Sequence, residues 1–449
     1  MNKPRDVDVV IVGAGLAGLR TASLLVNAGA SVAVLEAAPR VGGRTLNGQV
    51  GEGLFDLGGQ WIGKTHRRVT ALATDLGIDT FPTHTEGRKV MVTGGRKSTY
   101  GGTIPRISVV GLLSLHRAIG LVERDMRKVP EGAPHTALRA SEWDGCTLET
   151  WKRRTIVTAS ARALFDAGVR VVFGAEPSEM SLLHFLEYAR ASNGFEGLLA
   201  TEGGAQETRF VQGAQALSLR LAERLGTRVV LDTKVSAIAQ DDHGVVVHGP
   251  SSSWRARRVV VAVPPALAGR IAYTPELPPE RDQLTQRVFM GAATKCIATY
   301  DRPFWRDQGL SGEGVLTEGP VSATFDDTTH DGRVPALLGF VVGRAARDHG
   351  ALPADERRRA VIASFVACFG SAAASPREYV EHDWTREPFT RGCPVGIMGP
   401  GTMTLGGNAL RTPIGRVHFA GTETASECTG YMEGALVSAE RVTTELRAS

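Results

Sequence analysis

The sequence predicts an α/β protein made of two interleaved domains, one built on parallel βαβ units and one α+β. Three observations carry this. A βαβ pattern with closely spaced glycines opens the chain. A helical stretch runs from about residue 104 to 195. Buried-strand patterns then return in the middle and near the C-terminal end. At 449 residues the chain also exceeds what a single hydrophobic core usually organises.

In chain order, "DVDVVIVGAG" reads as a buried strand because its apolar run leads straight into glycines. "LAGLRTASLLVNAG" has helical spacing and stops at Gly29, and "SVAVLEA" is a second, parallel strand. The stretches "ISVVGLLSLHRAIGLVERDMRK", "TLETWKRRTIVTASARALFDAGVRVVF" and "EPSEMSLLHFLEYARA" each carry apolar residues at helical spacing. "RVVLDTKVSAIAQDDHGVVVHG" reads as a hairpin with Asp242-His243-Gly244 near its turn. "RARRVVVAVPP" is a buried strand ended by prolines. "AATKCIATYDRPFWR" begins as a strand in which Thr294, Cys296, Ala298 and Tyr300 alternate with Lys295, Ile297 and Thr299. On that stretch alone Lys295 reads as an edge lysine that blocks sheet-to-sheet pairing. "GRVHFAG" is the last strand, before an amphipathic terminal helix. The resulting division assigns 1–82, 205–290 and 395–449 to one domain and 83–204 and 291–394 to the other.

Composition narrows the function. Formal net charge is +4, from 51 basic and 47 acidic residues, which argues against nucleic acid and against an anionic membrane surface. The five cysteines are scattered with no CxxC pair, so neither a disulfide framework nor a zinc site is expected, nor any other metal, and the setting reads as cytoplasmic. The N-terminal apolar run is too short for a signal peptide. No stretch approaches the ~18 apolar residues of a membrane span, so no membrane anchor is expected.

"GAGLAG" places Gly13, Gly15 and Gly18 in GxGxxG spacing between a strand and a helix. Gly13 allows the tight turn, Gly15 lets backbone approach a pyrophosphate, and Gly18 lets the helix pack on the strand. Glu36 ends the next strand, where an acid accepts hydrogen bonds from an adenosine ribose. "RVGGRT" follows at once. Arg40 and Arg44 flank Gly42 and Gly43, so guanidiniums can neutralise a pyrophosphate against closely approaching backbone. The motif resembles a loop found across FAD oxidases of the glutathione-reductase-like group, and that resemblance points to FAD rather than NAD. "DLGGQWIG" adds Gly59, Gln60 and Trp61, which read as backbone packed against a flat ring. Gly421 and Glu423, after the last strand, sit where a cofactor chain can approach. "GYMEGA", with Tyr431 and Met432, opens a helix whose N-terminal amides suit electron-rich flavin atoms.

Together with "VVVAVPP", "ATKCIATYDRPFWR", "DWTREPF", "RGCPVG" and "FAGTETASECTGYMEGA", these segments make the whole chain resemble a flavin-containing amine oxidase of the monoamine oxidase family, in the form of a soluble bacterial relative. The resemblance implies an FAD-binding Rossmann-like domain of the glutathione-reductase type interleaved with an α+β substrate domain. It implies three catalytic residues. Lys295 holds a water against the flavin, Tyr431 lines the amine's path, and Trp384 packs beside flavin and lysine. It implies a backbone contact from Val235 to adenine, and substrate contacts from Gln206 and Leu199. The implied partners are a small-molecule amine and O₂, with a homodimer left open. Two departures stand out. Pro394 occupies the place of the family's second cage tyrosine. Cys393 coincides with the cysteine that bonds to the flavin in the mitochondrial enzymes, which leaves covalent and non-covalent FAD both open. The implied reaction is oxidation of a primary or secondary amine to an imine, with O₂ reduced to H₂O₂. An L-amino-acid oxidase, needing a buried arginine, and a polyamine oxidase, needing acids such as Glu202, Asp326 or Asp327, are the alternatives.

Overall fold

A computed structural model describes residues 5–102, 105, 107–192, 194, 197–198 and 200–448. Two large sheets organise it. The first has eight strands. Arg5–Val12 lies at its centre, parallel to Val32–Leu35 on one side and to Ser253–Val261 on the other. Val417–Phe419 joins Ser253–Val261 in parallel, so the end of the chain returns beside its beginning. The expected hairpin forms between Ala237–Gln240 and Val245–His248. The preceding Val229–Val230 stands apart from it and pairs with Val34 and Leu35 instead. These two valines extend the parallel part of the sheet, where burial against the opening strands outweighs local continuity.

One face of this sheet packs against helices Leu16–Asn27, Gln215–Leu225 and Met432–Ala448, with Ile11, Leu19, Leu217 and Leu436 in the common core. Gly13 has φ +104°, a conformation L side chains rarely adopt. A Cβ on Gly18 would lie 2.0 Å from the Gly13 carbonyl oxygen. The glycine spacing is therefore a packing requirement between the first strand and the first helix.

The second sheet has seven strands, in the order Glu378–Asp383, Ala293–Thr299, Ala336–Val342, Val321–Asp326, Leu310–Leu316, Arg88–Thr93 and Arg96–Tyr100. Helices from Val109 to Ala191 pack alongside, around Phe165, Phe173, Phe185 and Tyr188. The long helical stretch after residue 147 is broken, contrary to its continuous apolar spacing. Leu148–Thr155 ends at an extended Ile156, and Ala159–Phe173 starts afresh with Thr158 capping the Ala161 N–H. The run Thr155-Ile156-Val157-Thr158 is β-branched throughout, which disfavours helix, and threonine is a good N-cap. Among the described residues no helix is long and apolar enough to cross a membrane.

Candidate active site

A cavity of about 750 Å³ is lined by residues of both sheets. Such a volume is in the upper part of the ~300–1,000 Å³ range of ligand sites. Gly13, Gly15, Glu36, Arg40, Gly43, Arg44, Gly59, Gln60, Trp61, Gln206, Val235, Lys295, Trp384, Cys393, Gly421, Tyr431 and Met432 all line it. Gly18 and Glu423 do not. Gly18 is spent on helix packing, and Glu423 is buried behind the wall. Leu199 lies outside the described residues.

At the dinucleotide-like end, Glu36 accepts hydrogen bonds from the backbone N–H of Ala14 at 2.6 Å and of Ala38 at 2.8 Å. Burial raises its carboxyl above the ordinary value, and these amides oppose that shift. The first helix starts beside it, with Gly15 as N-cap and no side-chain cap, leaving backbone donors facing the cavity.

The two arginines are already partnered. Arg44 Nη1 bonds Glu423 Oε1 at 2.5 Å and Pro394 O at 2.8 Å, and Arg40 pairs with Glu387 at 3.3 Å. Arg44 therefore ties the "RVGGRT" loop to two C-terminal segments, a role its sequence position did not reveal. Glu423 is held below the ordinary carboxylate value by Arg44 even though burial pushes it the other way.

Lys295 is not on an edge. Its strand is paired on both sides, with Phe340 opposite Lys295 on one neighbour and His382 on the other. The edge reading fails because Glu378–Asp383 comes from eighty residues further on and covers the strand. Lys295 is 2% exposed. Its Nζ donates to Gly58 O at 3.1 Å and to Gln60 Oε1, and it lies 5.5 Å from the Trp61 ring centre. Burial lowers its pKa to about 8, and Asp327 and Asp56 act in the opposite direction. Trp384 is 1% exposed, donates to Leu57 O at 2.8 Å, and packs edge-on against His382.

Beyond Lys295 the wall becomes aromatic. Trp61 sits 5.2 Å from Phe325 and 5.9 Å from Phe340, ring centre to ring centre. Tyr431 has Tyr188 at 6.1 Å. Tyr188, Phe325 and Phe340 line the cavity but were not singled out from sequence, where helical or strand spacing marks them only as core. Among the described residues, Trp61 Nε1 and Gln206 Oε1 are buried without a partner. A smaller cavity of about 110 Å³ shares Val171 and Phe325 with the main one.

The acids considered for a polyamine site are elsewhere. Asp326 is bound by Trp305 and Arg306, Asp327 by Gln60 and Arg209, and none of Glu202, Asp326 and Asp327 lines the cavity. Among the described residues, one group has metal-ligand geometry, Cys296, His349 and Glu381. None of the three lines the cavity, and Glu381 is held by Arg357 and Tyr379.

The residues around the cavity fit a flavin dinucleotide: a glycine turn, an uncapped helix N-terminus, a ribose-type acid, and unpartnered polar atoms on an aromatic wall. A family model for flavin containing amine oxidoreductases matches residues 16–447. The chain belongs to the flavin-containing amine oxidoreductase family. Within that family, a Mycobacterium tuberculosis protein assigned provisionally by its name to the flavin-containing monoamine oxidases, AofH, is 42% identical over 447 residues, 100% of this chain and 98% of its own. A putrescine oxidase structure with putrescine bound superposes with a TM-score of 0.96 at 30% identity, covering 100% of both chains. Cyclohexylamine oxidase from Brevibacterium oxydans IH-35A superposes with a TM-score of 0.95 at 34% identity, covering 99% of each. The protein is a flavin-dependent amine oxidoreductase, and its mixed α/β fold is that of these oxidases.

Proposed function

We propose that the enzyme binds FAD and oxidises an apolar primary or secondary monoamine to an imine, which water hydrolyses to an aldehyde, with O₂ reduced to H₂O₂. The observation that carries the substrate class is the character of the aromatic wall. Of the acids lining the cavity, Glu36 is engaged by backbone amides and Glu387 by Arg40, and neither stands among Trp61, Phe325, Phe340 and Tyr431. Among the described residues, a diamine's second ammonium would have no anion there. Of the arginines lining the cavity, Arg40 and Arg44 are already paired and Arg270 and Arg391 are exposed, so none of them is the buried, free guanidinium that an amino acid's carboxylate needs.

When bound, the flavin supplies the two-electron acceptor for the carbon–hydrogen bond next to nitrogen and passes the pair to O₂. The chain's own groups orient and desolvate. Gly13 and Gly15 admit the pyrophosphate, Glu36 takes the ribose, and Val235 meets the adenine. Tyr431 and Tyr188 offer aromatic surface to the amine, and Gln206 Oε1, without a partner among the described residues, can accept from an amine N–H. Trp384 walls the space beside Lys295.

Cys393 lines the cavity. Burial pushes its thiol up to about 11, which keeps it neutral and poorly nucleophilic. We therefore take the FAD as non-covalently held; acid-precipitated protein that stays yellow would reverse this. In this reading 1–82, 205–290 and 395–449 form the flavin domain and 83–204 and 291–394 the substrate domain. A reducing, cytoplasmic setting is supported by five unpaired cysteines.

The deciding experiment is H₂O₂ release from the purified protein with cyclohexylamine- and benzylamine-like monoamines, putrescine and L-amino acids. Monoamines are expected to be turned over best, and preference for putrescine or for an amino acid would sink the assignment. Phe325 and Val171 line both cavities, and Phe325 is the larger of the two, so Phe325→Ala should open one toward the other. Its expected effect is a shift of kcat/KM toward longer or bulkier amines by roughly 10–200-fold relative to small ones, the scale of about 1–3 kcal/mol per methylene-sized fit.

A further inference from the structure

The groups that hold Lys295 form a chain leading away from the cavity. Gln60 Oε1 accepts from Lys295 Nζ, and Gln60 Nε2 donates to Asp327 Oδ1 at 2.6 Å. The same Asp327 oxygen pairs with Arg209 Nη2 at 2.7 Å. Arg209 is fixed in turn by the Thr328 carbonyl at 2.8 Å and by the Phe81 ring at 4.9 Å. All four polar members are buried, Lys295 and Gln60 to 2% exposure, Arg209 to 5% and Asp327 to 0%.

A buried amide between a cation and an anion has one favourable orientation, oxygen toward the cation and NH₂ toward the anion. Gln60 has that orientation. With Gly58 O taking a second Lys295 N–H, two of three ammonium donors are assigned, and no further acceptor is bonded to Nζ among the described residues.

We propose that Gln60, backed by Asp327 and Arg209, is the positioning residue that keeps Lys295 an ammonium and directs its remaining N–H into the cavity. This rests on the reading of the cavity as the flavin site. The groups facing Lys295 come from several elements. Asp327 and Asp56 favour the charge, and Cys393 does so if ionised, while Arg209 and His382 oppose it. Asp56 is itself shifted by burial, up to about 7, so its charge is partial near neutrality. Asp327 is the anion with a hydrogen-bonded path to Nζ, and that path is Gln60.

The test follows the visible absorbance of the flavin-loaded enzyme across roughly pH 6 to 10, since a charge beside the ring perturbs the spectrum. The transition that disappears in Lys295→Met is the lysine's. Gln60→Met and Asp327→Asn are each expected to lower that transition by about one pH unit, and their double variant by less than the sum. Asp327→Asn keeps the acceptor oxygen for Gln60 and Arg209, so it carries the test if Gln60→Met fails to fold. An unmoved transition in the folded variants overturns the proposal and leaves the amine oxidase reading intact. A Lys295 transition absent from the parent and from both variants across this range overturns the proposal, because removing Gln60 or Asp327 then leaves the charge on Lys295 unchanged.

Discussion

Lys295→Met should slow reoxidation of the reduced enzyme by O₂ by about 10²–10³-fold, the cost of removing one preorganised donor from a desolvated site, while reduction by amine changes far less. The reasoning is electrostatic. Electrons moving through a dry cavity require a fixed positive charge close by, and the arginines nearest the cofactor's path are tied to Glu423 and Glu387. Of the other cations in the lining, Lys234, Arg270 and Arg391 are exposed, whereas Lys295 is buried and, among the described residues, has a donor to spare. Its sign with pH follows from burial. With a pKa lowered to about 8, the ammonium persists below that value and is lost above it, so wild-type reoxidation should fall above pH 8 and the variant's should not. Stopped-flow mixing of reduced enzyme with O₂ separates the two half-reactions. A variant that reoxidises at the wild-type rate would sink the catalytic role. Stability carries the same group's signature. The unfolded lysine holds its proton up to the ordinary value of 10.5, so stability should rise with pH between about 8 and 10.5, and Lys295→Met should remove that slope.

Arg44→Met is expected to cost about 3–5 kcal/mol of stability and most of the bound flavin, because it leaves Glu423 buried and unpaired. Glu423 also accepts from the Gly396 N–H at 3.1 Å, so one carboxylate fastens the "RVGGRT" loop, the segment after Cys393 and the loop before the terminal helix. Much of the penalty is the stranded charge rather than the lost attraction. The double variant Arg44→Met with Glu423→Gln should therefore recover a substantial part of it. Denaturation of the three proteins with flavin content recorded checks this, and a double variant no more stable than Arg44→Met would show that packing, not charge, dominates.

Residue order was most informative where chemistry imposes fixed spacing. The glycines at 13, 15 and 18, the acid at 36 and the helix starting at Met432 lie as their spacing implied, because turn geometry and close helix–strand contact allow few substitutes. It was misleading where two outcomes share one local pattern. A lysine among alternating residues looks the same on an edge strand and on a central one, and the strand that covers it arrives more than eighty residues later. Tyr188 has the spacing of a core residue in its helix, yet its ring stands by Tyr431 in the lining of the cavity.

Local order thus determined the βαβ opening and the dinucleotide-type turn, which rest on backbone geometry within a few dozen residues, and the family, which rests on short motifs each legible by itself along the chain. Tertiary packing alone decided which charges remain free. Arg44 meets Glu423 across 379 positions and Lys295 meets Gln60 across 235. Such pairings depend on which segments burial brings together, and burial is a property of the assembled sheets rather than of any stretch within them.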